Sequence, residues 1–385
     1  MFEIVDKEPG STVIKVIGIG GAGGNAVDHM IREGVQGVEF ICANTDAQAL
    51  GRSGAPHKLQ LGSTGLGAGA KPEAGRAAAL EERERVAEAL AGAHMVFITA
   101  GMGGGTGTGA APIVAQVARE LGILTVAVVT KPFAFEGKRM SVAQQGLEEL
   151  GQHVDSLIVI LNERLMEVLG DDVSVQDGFK AADNVLRNAV GGIAEIINFP
   201  GLVNVDFEDV RTVMGEMGMA MMGSAFAAGV DRARLAAEQA VASPLLEGIH
   251  LSGARGVLVN ITASASLKMR EVNEVMNTIR EFAAEDAHII FGAVFDEAMQ
   301  DDLRVTVVAT GLGAGQAARQ IKPRVELVAQ KTGTHDLPII ETINYGDLEV
   351  PAVMRSGRRH AQVEAMAASG VDKYDIPAFL RKQAD

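Results

Sequence analysis

The run Gly101-Met102-Gly103-Gly104-Gly105-Thr106-Gly107-Thr108-Gly109 combines the residue types that a polyanion needs. Glycines carry no Cβ, so successive backbone N–H groups can crowd around phosphate oxygens. A helix that follows adds its unpaired first-turn amides and the positive end of its dipole. Thr106 and Thr108 supply hydroxyls for phosphate oxygens or for a bound Mg²⁺. The run lies between an apolar strand-like segment at 94–100 and an apolar helix-like one at 110–117, the setting of a phosphate cradle rather than of a flexible linker.

A second glycine turn, Gly18-Ile19-Gly20-Gly21-Ala22-Gly23-Gly24-Asn25, follows the first strand and opens a helix. Gly18, Gly20 and Gly23 satisfy a dinucleotide fingerprint, and Glu39 lies near the distance expected of a ribose-binding acid, so a nicotinamide enzyme is one reading. Two phosphate-type turns with hydroxyls suit a nucleoside triphosphate better. Neither turn ends in Gly-Lys-Ser/Thr, so the lysine of a P-loop is missing and positive charge must come from elsewhere. Arg139, at a helix start, is the candidate, its alternative being a solvated charge. Asn204-Val205-Asp206-Phe207-Glu208-Asp209-Val210 places three carboxylates within four residues. They can polarise water or hold a cation, or Asp206 can cap a helix whose first turn welcomes the other acids. The eight histidines show no metal-ligand spacing, and the single cysteine, Cys42, excludes a disulfide framework and reads as a small buried strand residue.

These groups need a scaffold. Apolar runs at 12–19, 38–42, 94–100, 123–130 and 156–161 alternate with helical patterns at 22–32, 72–90, 110–121 and 139–150, which implies a parallel sheet covered on both faces. A long amphipathic helix is expected at 174–197. Beyond it the alternation resumes with strands at 256–263, 288–294 and 303–310 and a helix at 268–284, while 214–222 is methionine-rich. The chain has 385 residues, enough for two domains, and a net charge of −15 that argues against nucleic acid or anionic membrane as a general partner. The acidic start does not resemble a secretory signal, and no apolar run approaches the roughly 20 residues of a membrane span. Periodicity fades from about Arg319 to Gly370, and the end sharpens into a short amphipathic helix in which Ile376, Phe379 and Leu380 share a face behind Pro377. Such a helix is too short to stand alone, so it either folds in a partner's groove or is a frayed terminus.

The two glycine turns, Asn44-Thr45-Asp46, the 204–210 cluster and the terminal Asp375-Ile376-Pro377-Ala378-Phe379-Leu380-Arg381 together resemble the FtsZ family, the bacterial tubulin-like cell-division GTPases, over essentially the whole chain. The resemblance implies a tubulin-like α/β fold: a parallel-sheet GTP-binding domain at 1–173 (1–10 flexible), a central helix at 174–200, a second α/β domain with an acidic catalytic loop at 201–316, a variable linker at 317–370 and a partner-binding peptide at 371–385. It implies that Gly104, Gly105, Thr106, Gly107, Thr108 and Gly109 wrap the phosphates of GTP or GDP, and that Gly20, Gly21, Gly23, Gly24 and Asn25 line the nucleotide. Glu136 and Arg139 fall near ribose and γ-phosphate, Asn162 and Asp183 at guanine or ribose, and Phe179 on the base. Asp183 can accept N1–H and N2–H of guanine and repel adenine's acceptor nitrogen. Asn204, Asp206 and Asp209 would complete the site of the next subunit, so that head-to-tail filaments hydrolyse GTP at their interfaces, with Mg²⁺ held mainly through the phosphates. The implied partners are the chain itself, membrane-anchoring division proteins at Ile376, Pro377, Phe379 and Leu380, and assembly regulators, without direct membrane insertion. The implied location is the cytoplasm at the midcell division ring.

Overall fold

The computed structural model describes residues 12–170, 172–198, 205–215, 218–243, 254–284 and 287–312. The first half runs β1 (Ile14–Ile19), α1 (Gly20–Arg32), β2 (Glu39–Asn44), α2 (Ala47–Arg52), β3 (His57–Gln60), α3 (Pro72–Glu81), α4 (Arg83–Leu90), β4 (Met95–Gly101), α5 (Thr106–Glu120), β5 (Leu124–Lys131), α6 (Arg139–Gly151), β6 (Ser156–Leu161) and α7 (Asn162–Leu169). The expected helix at 72–90 is two helices, because Glu82 leaves helical geometry between them. The helix expected from residue 110 begins four residues earlier, so the Thr106-Gly107-Thr108-Gly109 stretch is itself helical.

The long α8 (Val175–Asn198) and short α9 (Phe207–Met214) lead into β7 (Gly218–Ala228), α10 (Arg232–Val241), β8 (Gly256–Ala263), α11 (Met269–Phe282), β9 (His288–Phe295) and β10 (Asp302–Leu312). The methionine-rich stretch becomes the end of α9 and the start of β7. The ten strands among the described residues form one sheet in the order β3-β2-β1-β4-β5-β6-β7-β10-β8-β9. It is parallel from β3 through β7, whereas β10 runs antiparallel to both β7 and β8. Only Ser156, Leu157 and Ile158 pair with β7, opposite Gly218, Met219 and Ala220.

Near-continuous apolar strands need cover on both faces. On one face Val16, Phe97 and Val126 pack with Val27 of α1, Leu186, Val190 and Ile193 of α8, and Val210 of α9. On the other, Ile17, Ile41 and Ile98 meet Val114 of α5 and Leu150 of α6. The second half has its own core, with Ala236 and Ala240 of α10 and Val275 of α11 against Val259 and Val307. At 24 residues, α8 spans about 36 Å. It reaches the second half through Asn260 Nδ2, which donates to Gly192 O at 3.1 Å, and through the Glu195–Arg304 ion pair at 2.6 Å. Cys42 is buried as expected, and burial pushes its thiol pKa up.

The β1–α1 turn depends on bare backbone. A Cβ on Gly23 would lie 2.4 Å from Thr99 O, whereas one on Gly21 would meet nothing within 4 Å. Gly23→Ala is therefore expected to cost about 1–3 kcal/mol in chemical denaturation, and Gly21→Ala less than about 1 kcal/mol.

Candidate functional site

Between β1 and β4 the strand order reverses direction, and in open parallel sheets the crevice at that reversal takes the ligand. The first amides of α1 and α5 emerge at the carboxyl ends of these two strands. The two turns touch: Gly20, at φ +75°, would place a Cβ 3.1 Å from Gly107 N, and the hydroxyls of Thr45 and Thr106 are 2.6 Å apart. The first turn of α5 leaves the amides of Thr106, Gly107 and Thr108 without intrahelical acceptors, a concentration of donors at a positive dipole end.

The glycines divide into two kinds. Gly21 and Gly104 are accessible, and a Cβ on Gly104 would come no nearer than 3.5 Å, to the Arg139 guanidinium. Gly105, Gly107 and Gly109 are buried, each with another backbone oxygen within 2.5 Å of where a Cβ would stand, from Gly69, Gly101 and Pro72 respectively. Gly23 and Gly24 likewise face inward, against Thr99 O and the Cys42 sulfur. Their side-chain positions thus serve close packing, leaving only their amides to face a ligand. Thr108 departs from the expectation of a ligand hydroxyl: it is 3% exposed, and its Oγ1 accepts Gly103 N–H at 2.8 Å, closing the turn. Thr106 remains partly accessible at the crevice.

The loop after β5 folds over these turns. Phe133 N–H donates to Glu136 Oε1 at 3.0 Å, Glu136 pairs with Arg139, and Arg139 Nε donates to Gly103 O at 3.4 Å. Arg139 is thus tied to the glycine run rather than only solvated. Asn162, at the start of α7, is buried and its Oδ1 has no hydrogen-bond partner, an acceptor waiting for a donor.

Beside the turns, α1 and α8 wall a cleft of about 650 Å³ lined by Asn25, Asp28, His29, Phe179, Lys180 and Asp183. Phe179 is 44% exposed and its ring meets Phe133 edge-on at 5.4 Å, leaving an apolar aromatic surface at the cleft. Burial pushes the Asp183 pKa up to about 6, against the opposing pull of His29 and Arg32. That partly desolvated carboxylate, an unpaired amide acceptor, an aromatic face and a double helix-end donor array suit a purine nucleotide.

Glu39 lies elsewhere. It opens β2 opposite Lys15, with which it pairs at 3.5 Å, at the amino end of the strands and away from the glycine turns. The ribose-acid role of the dinucleotide reading is therefore corrected.

The acidic cluster also sits at the amino end. Asp206 Oδ1 accepts Asp209 N–H at 2.8 Å, so the capping arrangement is formed, while the Asp209 side chain is exposed. Phe207 packs edge-on against His94 at 6.1 Å, just before β4, and Arg211 donates to Gly122 O at 3.3 Å, just before β5. The glycine run leaves the other end of β4, about 20 Å away at 3.3 Å per residue. Asn204 and the terminal Ile376, Pro377, Phe379 and Leu380 lie outside the described residues. His29 and Phe133 carried no signal in the sequence, and Thr45 stood out only within the 44–46 motif, because their partners lie 155, 46 and 61 residues away.

Residues 13–170 match the Tubulin/FtsZ family GTPase domain, and residues 218–313 match the FtsZ family C-terminal domain. The cell division protein FtsZ of Pseudomonas putida is 56% identical over all of both chains, and that of Azotobacter vinelandii 55% identical over all of both. Among solved structures, the empty FtsZ dimer of M. jannaschii superposes with a TM-score of 0.76 at 40% identity, covering 86% of this chain and 96% of that one. A tubulin-like sheet, glycine turns set for a purine nucleotide and full-length likeness to these proteins agree: the chain belongs to the FtsZ family of cell-division GTPases.

Proposed function

We propose that GTP lies across the two glycine turns with its guanine between α1 and α8, and that hydrolysis takes place only where a second copy, stacked head to tail, presents its α9 acids to the phosphates. The observation that carries this reading is the placement of Asp206 and Asp209 at one end of β4 and the phosphate turns at the other. One copy cannot bring both to the same phosphate. A heterologous contact of this kind repeats without closing and yields a filament.

In this reading the amides of Gly104 to Thr108 and those of Gly20 and Gly21 hold the phosphates, Arg139 offsets their charge, and Glu136 steadies Arg139. Asn162 accepts from ribose or base, Phe179 stacks on the base, and Asp183 accepts guanine N1–H and N2–H. Asp209, with Asn204 and the second oxygen of Asp206, orients the attacking water against the γ-phosphate of the neighbour, a positioning and electrostatic route. Among the described residues no three acidic, histidine or cysteine side chains gather to hold a metal, so Mg²⁺ would enter with the phosphates, with the Thr106 hydroxyl at hand. No described helix is long and apolar enough to cross a membrane. Attachment at a division ring would therefore run through membrane-anchoring partners that take the apolar face of Ile376, Phe379 and Leu380.

Asp209→Ala is expected to bind GTP within about twofold of the parent chain and to lose on the order of 10²-fold in turnover. Parent turnover per subunit should fall on dilution, in parallel with light scattering; a rate that stays constant down to dilute protein contradicts shared sites. Asp183 generates a pH dependence. Its carboxyl is ionised above about pH 6 and protonated below, and only the ionised form accepts both guanine donors. GTP affinity should therefore fall about tenfold from pH 7 to pH 5 beyond the change seen for Asp183→Asn, the control that cancels the titration of the phosphates. Deleting residues 371–385 should leave GTP-dependent sedimentation intact and abolish recruitment to membranes.

A further inference from the structure

The cleft beside the glycine turns is as wide as the spacing of its two walls allows. Their apolar sides meet below it, where Val27 and Met30 of α1 pack into the same core as Leu186 and Val190 of α8. At the level of the cleft, one side-chain hydrogen bond crosses from α1 to α8 among the described residues: His29 Nε2 donates to Asn184 Oδ1 at 2.7 Å. His29 is 3% exposed and lines the cleft, and Asn184 is the immediate neighbour of Asp183. The other titratable groups lining this part of the cleft are Asp28, Arg32, Arg52, Lys180 and Asp183. Asp28 is engaged by Ser53 Oγ and Gly54 N–H, each at 2.8 Å, and Arg32 turns back to Asp28 O at 3.2 Å, so neither bridges the walls.

We propose that His29 is a positioning residue for purine selection. By holding Asn184, it fixes the turn of α8 that carries Asp183, and so sets where the carboxylate meets the two-donor edge of guanine. His29 itself need not touch the base. The inference rests on the reading that Asp183 accepts N1–H and N2–H. A carboxylate held in place rewards both donors, whereas one that drifts by a fraction of an ångström keeps one bond at the expense of the other. The loss should therefore fall on discrimination between guanine and hypoxanthine, which lacks the exocyclic amine, rather than on nucleotide binding in general.

The test is the ratio of dissociation constants for ITP and GTP, measured on the full chain with Mg²⁺. His29→Leu keeps the bulk and removes the donor. It is expected to weaken GTP about tenfold while changing ITP little, so that the ratio shrinks toward one. His29→Gln, which restores an N–H donor of similar reach, should recover most of the ratio. Asn184→Ala, at an exposed position, reads the same bond from the opposite wall and should reproduce the His29→Leu effect even where the buried substitution folds poorly. Equal weakening of GTP and ITP in both His29→Leu and Asn184→Ala, or an unchanged ratio, overturns the proposal. Asp183→Asn separates the two levels. A ratio unchanged in that variant overturns the reading of Asp183 itself, whereas a collapsed ratio there together with a normal ratio in Asn184→Ala overturns only the role of His29.

Discussion

The approach of two helix beginnings to one another, at the place where the sheet reverses its order, is the constraint on which the rest of this molecule depends. α1 and α5 both start at the carboxyl ends of adjacent strands, and their turns come within contact at Gly20 and Gly107. Two positive dipole ends so close together repel each other and leave several amides without acceptors, an arrangement that a polyanion relieves. The bare backbones at Gly23, Gly105, Gly107 and Gly109 make the approach sterically possible, each against a named backbone oxygen. The crevice is therefore built as much by the inward-turned Cα positions of these glycines, which permit close packing, as by the amides they leave free.

Around that point the remaining groups are placed by elements with other duties. α8 covers one face of the sheet, carries Phe179 and Asp183 to the cleft beside α1, and is tied to the second half through Gly192 and Glu195. The raised pKa of Asp183 shows a cost accepted at such a site. Ionising a carboxyl whose folded pKa lies above its unfolded value lowers the stability of the free chain as pH rises from about 4 toward 6, a loss that hydrogen-bond donors on a ligand in the cleft would offset.

Much of this was legible in the sequence, for reasons particular to each element. The glycine-threonine run and the strand and helix around it are local patterns, and the parallel first half follows from apolar runs such as 95–100 alternating with amphipathic helices. The capping geometry of Asp206 follows from a spacing of three. β7 was not legible, because Gly-Met-Ala-Met-Met-Gly-Ser-Ala-Phe-Ala-Ala contains no β-branched residue and takes its strand form from β10 beside it. The inward role of Thr108 depends on the fold of its own turn, and the misplaced weight on Glu39 arose because distance along the chain does not say which end of a strand an acid occupies. The separation of the α9 acids from the glycine turns was legible only through the family resemblance, because residue spacing does not say which end of a sheet a segment reaches.

The seam between β6 and β7 has a mechanical consequence. Three residue pairs join the two halves of the sheet there, against eight between β8 and β9. With each ladder hydrogen bond contributing about 1 kcal/mol net, strand pairing alone holds the two halves together at this line only weakly. The joint between the halves therefore rests less on strand pairing than on α8, which crosses that line and ties into the second half through Gly192 and Glu195.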